Sequence, residues 1–428
     1  MHVSRLSAVR FALLMFALAV APRLEAAEKL GDWPQWRGPN RDGHSPDKGL
    51  LRKWPKGGPE LAWKSEGLGK GYSSVSLGGG RIYTMGQWDG QQHLLALDGK
   101  NGRKLWSTPV GKEANDGPNC TPTFDGDRVY ALGTEGDLVC CDAATGQELW
   151  RKNFAKNFDG KMMSGWGYSE SPLVDGEKLI VTPGGRDAAL VALDRRTGRE
   201  LWRTKLPEDL GSKGGDGAGY SSIVVSNAGR QRQYVQLLGR GVVGVSADDG
   251  RFLWNYNGVA NDTANIPTPI VKGDYVFCST GYGTGSALLQ IVRRGNQWEA
   301  VEKYFLPAVE LQNHHGGLIL VGDYLYGGHG HNNGFPICVE LATGKIVWRK
   351  DRGPGTGSAA VTYADGNLYF RYDNGLMALI AATPKGYQEL GTFEIADGSQ
   401  PSWPHPVVAD GKLYLRDQDR LLVYGLTR

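Results

Sequence analysis

Two short stretches hold the side chains best suited to chemistry. They are NHHGG (Asn313–Gly317) and GGHGHNNG (Gly327–Gly334). Imidazole is the commonest metal-ligating side chain, and it titrates near neutral pH. If the two stretches meet, His314, His315, His329 and His331 form a site for a metal or an anionic ligand. No Cys or acidic residue stands beside them at metal-ligand spacing. Loop histidines bonded to backbone would give the same pattern. The four are therefore weak metal candidates, and no metal is expected. The Gly-Tyr-Ser stretches at Gly71, Gly167 and Gly219 do not mark a nucleophile, because a nucleophile is a single strained position and here there are three copies. GYGTGS (from Gly281) and GPGTGS (from Gly353) lack the Lys of a phosphate loop.

These side chains need elements to position them, and a repeat supplies those elements. ALDGKNGRKLW (Ala96–Trp106), CDAATGQELW (Cys141–Trp150), ALDRRTGRELW (Ala192–Trp202), VSADDGRFLW (Val245–Trp254) and VELATGKIVW (Val339–Trp348) are copies of one unit. A Gly stands four residues before each Trp, and the Trp spacings are 44, 52, 52 and 94. A period near 45 residues fits a propeller blade. Asp-Gly pairs between alternating apolar runs, as in TFDGDRVYAL (from Thr123) and VVADGKLYLR (from Val407), are hairpin signals that permit positive φ at both turn positions. Pro122, Pro172, Pro269 and Pro406 precede such hairpins. Proline is confined to sheet edges, so it marks the innermost strand, which faces the channel.

The units begin near Tyr72, Asn119, Tyr168, Tyr220, Asn265, His314, Gly357 and Pro404. The sequence therefore predicts an all-β, eight-bladed propeller of four-stranded antiparallel blades. The last unit has three strands, and Glu60–Lys64 reads as its missing outer strand. The recurring indoles, Trp106, Trp150, Trp202, Trp254 and Trp348, together with Trp63, are structural tryptophans expected to pack between neighbouring blades. Cys140 and Cys338 stand where sister units have Ala and are read as core thiols. Cys140 and Cys141 are adjacent, and successive strand residues face opposite ways, which opposes a bond between them.

Residues 1–26 read as a signal peptide, with Arg5 and Arg10 before the apolar run Phe11–Val20 and a small-residue cleavage site at Ala26 or Ala27. Residues 27–58 form an N-terminal strap, containing DWPQWRGPNRDG (Asp32–Gly43), and residues 59–428 the propeller. The chain carries 48 basic and 45 acidic residues, a balance that argues against nucleic acid or an acidic membrane surface as partner. No later segment is long enough to span a bilayer. An exported soluble protein, periplasmic or secreted, and a monomer, is expected.

Propellers bind at one mouth of the channel, where the approaches to the innermost strands meet the loops between the second and third strands. That face holds the candidate ligand-binding residues Tyr72, Trp88, Trp166, Tyr168, Arg186, Tyr220, Arg240, His314, His315, His329, His331, Arg371, Trp403 and His405. Asn119, Tyr282, Asp187, Asp373 and Asp417 fall in the same set.

The ALD…TG..LW unit resembles the tryptophan-docking motif of pyrroloquinoline-quinone (PQQ) propeller repeats, in the quinoprotein alcohol dehydrogenase-like superfamily. The likeness runs from about Asp32 to the C-terminus. It implies an eight-bladed ring and two functions. One is a non-enzymatic binding or scaffold protein of the cell envelope, with a protein, peptide or glycan ligand on the propeller face. The alternative is a PQQ-dependent quinoprotein dehydrogenase oxidising an alcohol or sugar. The residues themselves require no cofactor; the resemblance allows PQQ with Ca²⁺. No stretch reproduces the family's cation ligands, and no haem motif C-x-x-C-H is present. Binding without catalysis is the favoured reading.

Overall fold

The computed structural model describes residues 1–2, 32–399 and 401–427. All but the first two residues of the predicted signal peptide lie outside these. The described residues form eight four-stranded antiparallel sheets. Among them the one α-helix is the turn Phe154–Phe158. No described helix is long and apolar enough to cross a membrane. First strands of successive blades lie against each other, which places them around the axis.

The eighth blade closes as the sequence predicts. Leu61–Ser65 pairs antiparallel with Arg420–Gly425, with Trp63 opposite Val423. Two distant parts of the chain thus share one sheet, and the ring has no open seam.

The repeat has a physical cause. In blade 2, the Asp142 carboxylate accepts hydrogen bonds from the Ala144 and Thr145 amides and the Thr145 hydroxyl at 2.8–3.0 Å. Gly146 then takes φ 76°, a left-handed conformation natural to glycine. The indole of the preceding blade packs onto that bare Cα. Trp63 covers Gly102, Trp106 covers Gly146, Trp150 covers Gly198 and Trp202 covers Gly250. Gly and Trp recur together because each Trp needs the Gly of the next blade.

Trp254 departs from the expectation. The next blade has lost its Gly turn to a long hairpin, Gly285–Arg294 with Gln297–Pro307. With no glycine of the next blade to cover, Trp254 lies against Gly244 of its own blade, its indole N–H donates to Gln233 Oε1 at 2.6 Å, and it belongs to a buried cluster that includes Val276 and Leu289 of blade 5. Trp298, from the long hairpin, packs back over Gly229, and Tyr304 takes the docking role over Gly344.

Two hairpin details also differ from the sequence reading. In blades 7 and 8, Asp365-Gly366 and Asp410-Gly411 both have positive φ. In blades 2 and 3 the Asp ends the strand, and Gly126 or Gly176 leads the turn. Pro122, Pro172, Pro269 and Pro406 stand one residue before the innermost strands, not in them. All five cysteines are buried free thiols.

Candidate functional site

The strap is a plug. Trp33 exchanges two backbone hydrogen bonds with Leu77 of blade 1, and the Phe124 amide of blade 2 donates to Pro34 O at 2.7 Å. Arg41 reaches blade 3, donating to Ser171 O (2.7 Å) and Pro172 O (3.1 Å). Trp36 donates to Thr268 Oγ1 of blade 5 at 3.3 Å. Arg37 donates to Leu318 O of blade 6 at 2.6 Å. Ser45 pairs with Tyr363 of blade 7. A segment without strand or helix thus satisfies its polar groups on the amides, carbonyls and hydroxyls at and beside the innermost strands. It shuts one end of the channel.

The other end is a bowl of about 240 Å³. Trp36 and Arg37 form its floor, and its wall holds Tyr72, Trp166, Tyr220, Tyr282, His314, His315, Trp403 and His405. Tyr72 and Trp403 lie 4.4 Å apart between ring centres. Trp36 meets His405 edge-on at 4.5 Å. Trp166 is 49% exposed at the rim. Asp116 is the one carboxylate among the described lining residues, with Asn119 nearby.

The two histidine stretches do meet, through a parallel bridge between Asn313 and His331. His314 lies 4.4 Å from both His315 and His331. His314 Nε2 bonds the Tyr282 hydroxyl at 2.9 Å, and its Nδ1 bonds Ser358 Oγ at 2.8 Å. His329 turns away and accepts from the Gln312 amide through Nδ1. Its place in the group is taken by His405, whose Nε2 bonds His315 O at 3.2 Å. The described residues contain no set of three or more His, Cys, Asp or Glu able to hold a metal ion.

Burial keeps these imidazoles neutral. It holds His314 down to about 4, aided by His331, and His405 down to about 3, aided by Arg37. His315 is pushed well below its ordinary value by burial and then by the neighbouring histidines. Arg37 is lowered by burial to about 10 and stays a cation.

Of the fourteen candidate ligand-binding residues, Tyr72, Trp166, Tyr220, His314, His315, Trp403 and His405 line the bowl. His331 stands just behind them, against Tyr282. The others serve elsewhere. Trp88 stacks on His93 at 3.8 Å. Tyr168 is buried and donates to Pro183 O. Arg186 and Arg240 flank Asp216 at a separate surface hollow. Arg371 is fully buried and donates to Ser402 Oγ, Pro404 O and Arg416 O. Arg371, Trp88 and His329 stand at the ends of second strands, where a long side chain can turn away from the mouth, and polarity alone does not reveal which way it goes. Sequence reasoning missed Trp36, Arg37 and Asp116. The only signal for the first two was a Trp-Arg pair in a proline-flanked segment.

Of the carboxylates near the mouth, Asp187 pairs at the surface with Lys205, and Asp417 accepts from Arg371 and Arg420. Asp373 lies behind the wall, pushed up to about 6 by burial. The arrangement offers ring faces and uncharged hydrogen-bonding groups around a closed-bottomed cup.

Eight blades, docking indoles and one plugged channel define a PQQ-like propeller of the quinoprotein alcohol dehydrogenase-like superfamily. A family model described as outer membrane protein assembly factor BamB matches residues 90–350, more than half of the chain, and the chain belongs to that family. It is 29% identical over 274 residues to outer membrane protein assembly factor BamB of Xanthomonas campestris pv. campestris, covering 61% of this chain and 63% of that protein. It is 24% identical over 263 residues to the protein of the same name from Shewanella oneidensis, covering 57% and 60%. The chain thus spans less than two thirds of the length of these curated relatives. A solved europium-containing methanol dehydrogenase superposes with a TM-score of 0.66 at 14% identity, over 92% of this chain and 98% of that one. That likeness is one of fold.

Proposed function

We propose that this chain is an exported binding propeller of the cell envelope, with no catalytic step of its own, and that its ligand sits in the bowl. The lining carries this reading: aromatic rings and neutral imidazoles surround a cup with one carboxylate, Asp116. A dehydrogenase of this superfamily would place a quinone there with a divalent cation. A hard cation such as Ca²⁺ takes six to eight oxygen ligands, several of them carboxylates. Asp116 and Asn119 fall short of that set. The wall donors do not fit the cofactor, and no bound cofactor is proposed.

Export fits the thiols. Cys120, Cys140 and Cys141 are buried, and burial pushes each up to about 12. Such thiols are unreactive, so they persist unpaired in an oxidising compartment. The relatives named for outer membrane protein assembly support a place in the envelope. The ligand classes compatible with the bowl are a protein or peptide segment and a glycan. A monomer without nucleic-acid partners is proposed.

The test is direct. PQQ and Ca²⁺ are added to the purified protein, and melting and dye reduction with alcohols are followed. No melting shift and no dye reduction are expected. A shift with alcohol-dependent dye reduction would establish the dehydrogenase reading instead. N-terminal sequencing of the exported chain should find it starting after Ala26 or Ala27.

A further inference from the structure

The direction of the hydrogen bonds around the bowl narrows its ligand. The Ser358 amide must donate, and it donates to Asn332 Oδ1 at 3.1 Å. That fixes the Asn332 oxygen. The Ser358 hydroxyl lies 3.0 Å from the same oxygen and donates to it as well. Its lone pairs then face His314 Nδ1, so that nitrogen carries the proton. His314 is neutral, so its Nε2 is bare and accepts from the Tyr282 hydroxyl. Tyr282 therefore turns its proton away and keeps free lone pairs on its oxygen.

Tyr220 obeys the same logic. Ser164 spends its one hydroxyl proton on Thr263 O at 2.6 Å. The 2.7 Å bond between Ser164 and Tyr220 must then be donated by Tyr220. His405 is the third case. Its Nε2 must carry hydrogen to donate to the carbonyl of His315. In the neutral ring the Nδ1 is then a bare acceptor, and it is buried without a partner.

The wall thus offers acceptor oxygens at Tyr282 and at Tyr220, the latter also accepting from the Trp166 amide at 3.3 Å, set among aromatic faces, while the bare His405 Nδ1 lies buried behind them. The lining carries one charge of each sign, so an anion meets the Asp116 carboxylate and the acceptor oxygens, and a cation meets the Arg37 guanidinium. A neutral, donor-rich molecule with an apolar face satisfies both conditions. We infer that the bowl takes a neutral sugar ring of a glycan, stacked on exposed Trp166, with ring hydroxyls donating to the acceptors of the wall. This rests on the bowl being the binding face, and it names the ligand that face selects.

The full exported chain can be titrated with three probe sets, following tryptophan fluorescence: neutral oligosaccharides, uronic-acid or sulfated oligosaccharides, and tetramethylammonium. Unlabelled peptides of mixed sequence are run in parallel with hydrogen-exchange mapping of the bowl. Neutral oligosaccharides are expected to bind. Trp166→Ala should weaken them about tenfold or more, with melting unchanged because that ring is half exposed. Tyr282→Phe, which removes an acceptor oxygen but keeps the ring, should weaken them several-fold. Preference for acidic saccharides or for tetramethylammonium would overturn the inference. So would saccharide binding that survives both substitutions. Peptide protection of the bowl without any saccharide binding would overturn the sugar assignment and leave the binding face standing. No ligand of any set at the bowl would overturn both.

Discussion

Trp106 covers Gly146 so closely that a Cβ at position 146 would stand 2.6 Å from Cδ2 and Cε3 of the indole. The two residues belong to neighbouring blades, so this contact is a joint of the ring. Gly146 is needed twice, for its φ of 76° and for its missing side chain.

Gly146→Ala should destabilise the protein by about 2–4 kcal/mol, from left-handed strain plus overpacking. Trp106→Ala should cost about 3–5 kcal/mol as a large-to-small change at a packed site. The double variant should cost less than the sum, since removing the indole removes the clash. Urea denaturation of the four proteins measures the coupling, and strict additivity would show that the contact is not the joint.

Trp254→Ala should also destabilise, by leaving the buried Gln233 oxygen without its donor and by opening a cavity in the cluster that Trp254 shares with Val276, Cys278 and Leu289 of blade 5. Tyr304→Ala should instead loosen the joint between blades 5 and 6, where that ring covers Gly344. Hydrogen exchange reads the difference: protection lost around Gly344 in the Tyr304 variant, and around Gln233 in the Trp254 variant.

These cases show how far the sequence reached. Gly-to-Trp spacing is a local pattern with a non-local cause, and it recurs, so the blade count and the closing strand could be read directly. Trp254 has the same local pattern, but its partner blade has lost the glycine that makes the pattern meaningful. The plug was harder. A proline-flanked strap with two tryptophans announces packing, and nothing local says that it packs inside the channel. Half of the bowl was visible as aromatic residues at blade boundaries; its floor was not.

The plug makes its own prediction. Deleting residues 32–45 removes Arg41 from the Ser171 and Pro172 carbonyls and removes Trp36 and Arg37 from the floor. A strap that only fastened the ring would affect stability alone. Here stability and ligand affinity should fall together. Arg41→Ala, outside the bowl lining, should lower stability by about 1–3 kcal/mol, because it leaves the buried Ser171 carbonyl without its donor while Pro172 O keeps the Thr123 hydroxyl, and should leave affinity unchanged. Melting and ligand titration on the same two variants separate the roles.

Glu170, with Asp373 acting in the same sense, contributes to the pH response of the fold. It is buried beside the channel, accepts from the Thr182 amide (2.6 Å) and Gln236 Nε2 (3.1 Å), and burial raises it to about 7. Between the usual carboxylate range and pH 7 the folded state holds a proton that the unfolded state has released. Stability therefore falls as pH rises through that window. At roughly 1.4 kcal/mol per pKa unit the loss is about 3 kcal/mol by pH 8. The buried imidazoles act in the opposite sense. Their folded values lie below the unfolded value, so the unfolded state gains protons first as pH falls through 6.5, and stability drops on the acid side. Glu170→Gln keeps the shape and removes the ionisation. Urea denaturation from pH 5 to pH 8 should show the variant gaining on the parent as pH rises, while both lose stability toward acid. Parallel curves across the whole range would mean that Glu170 does not hold its proton in the fold.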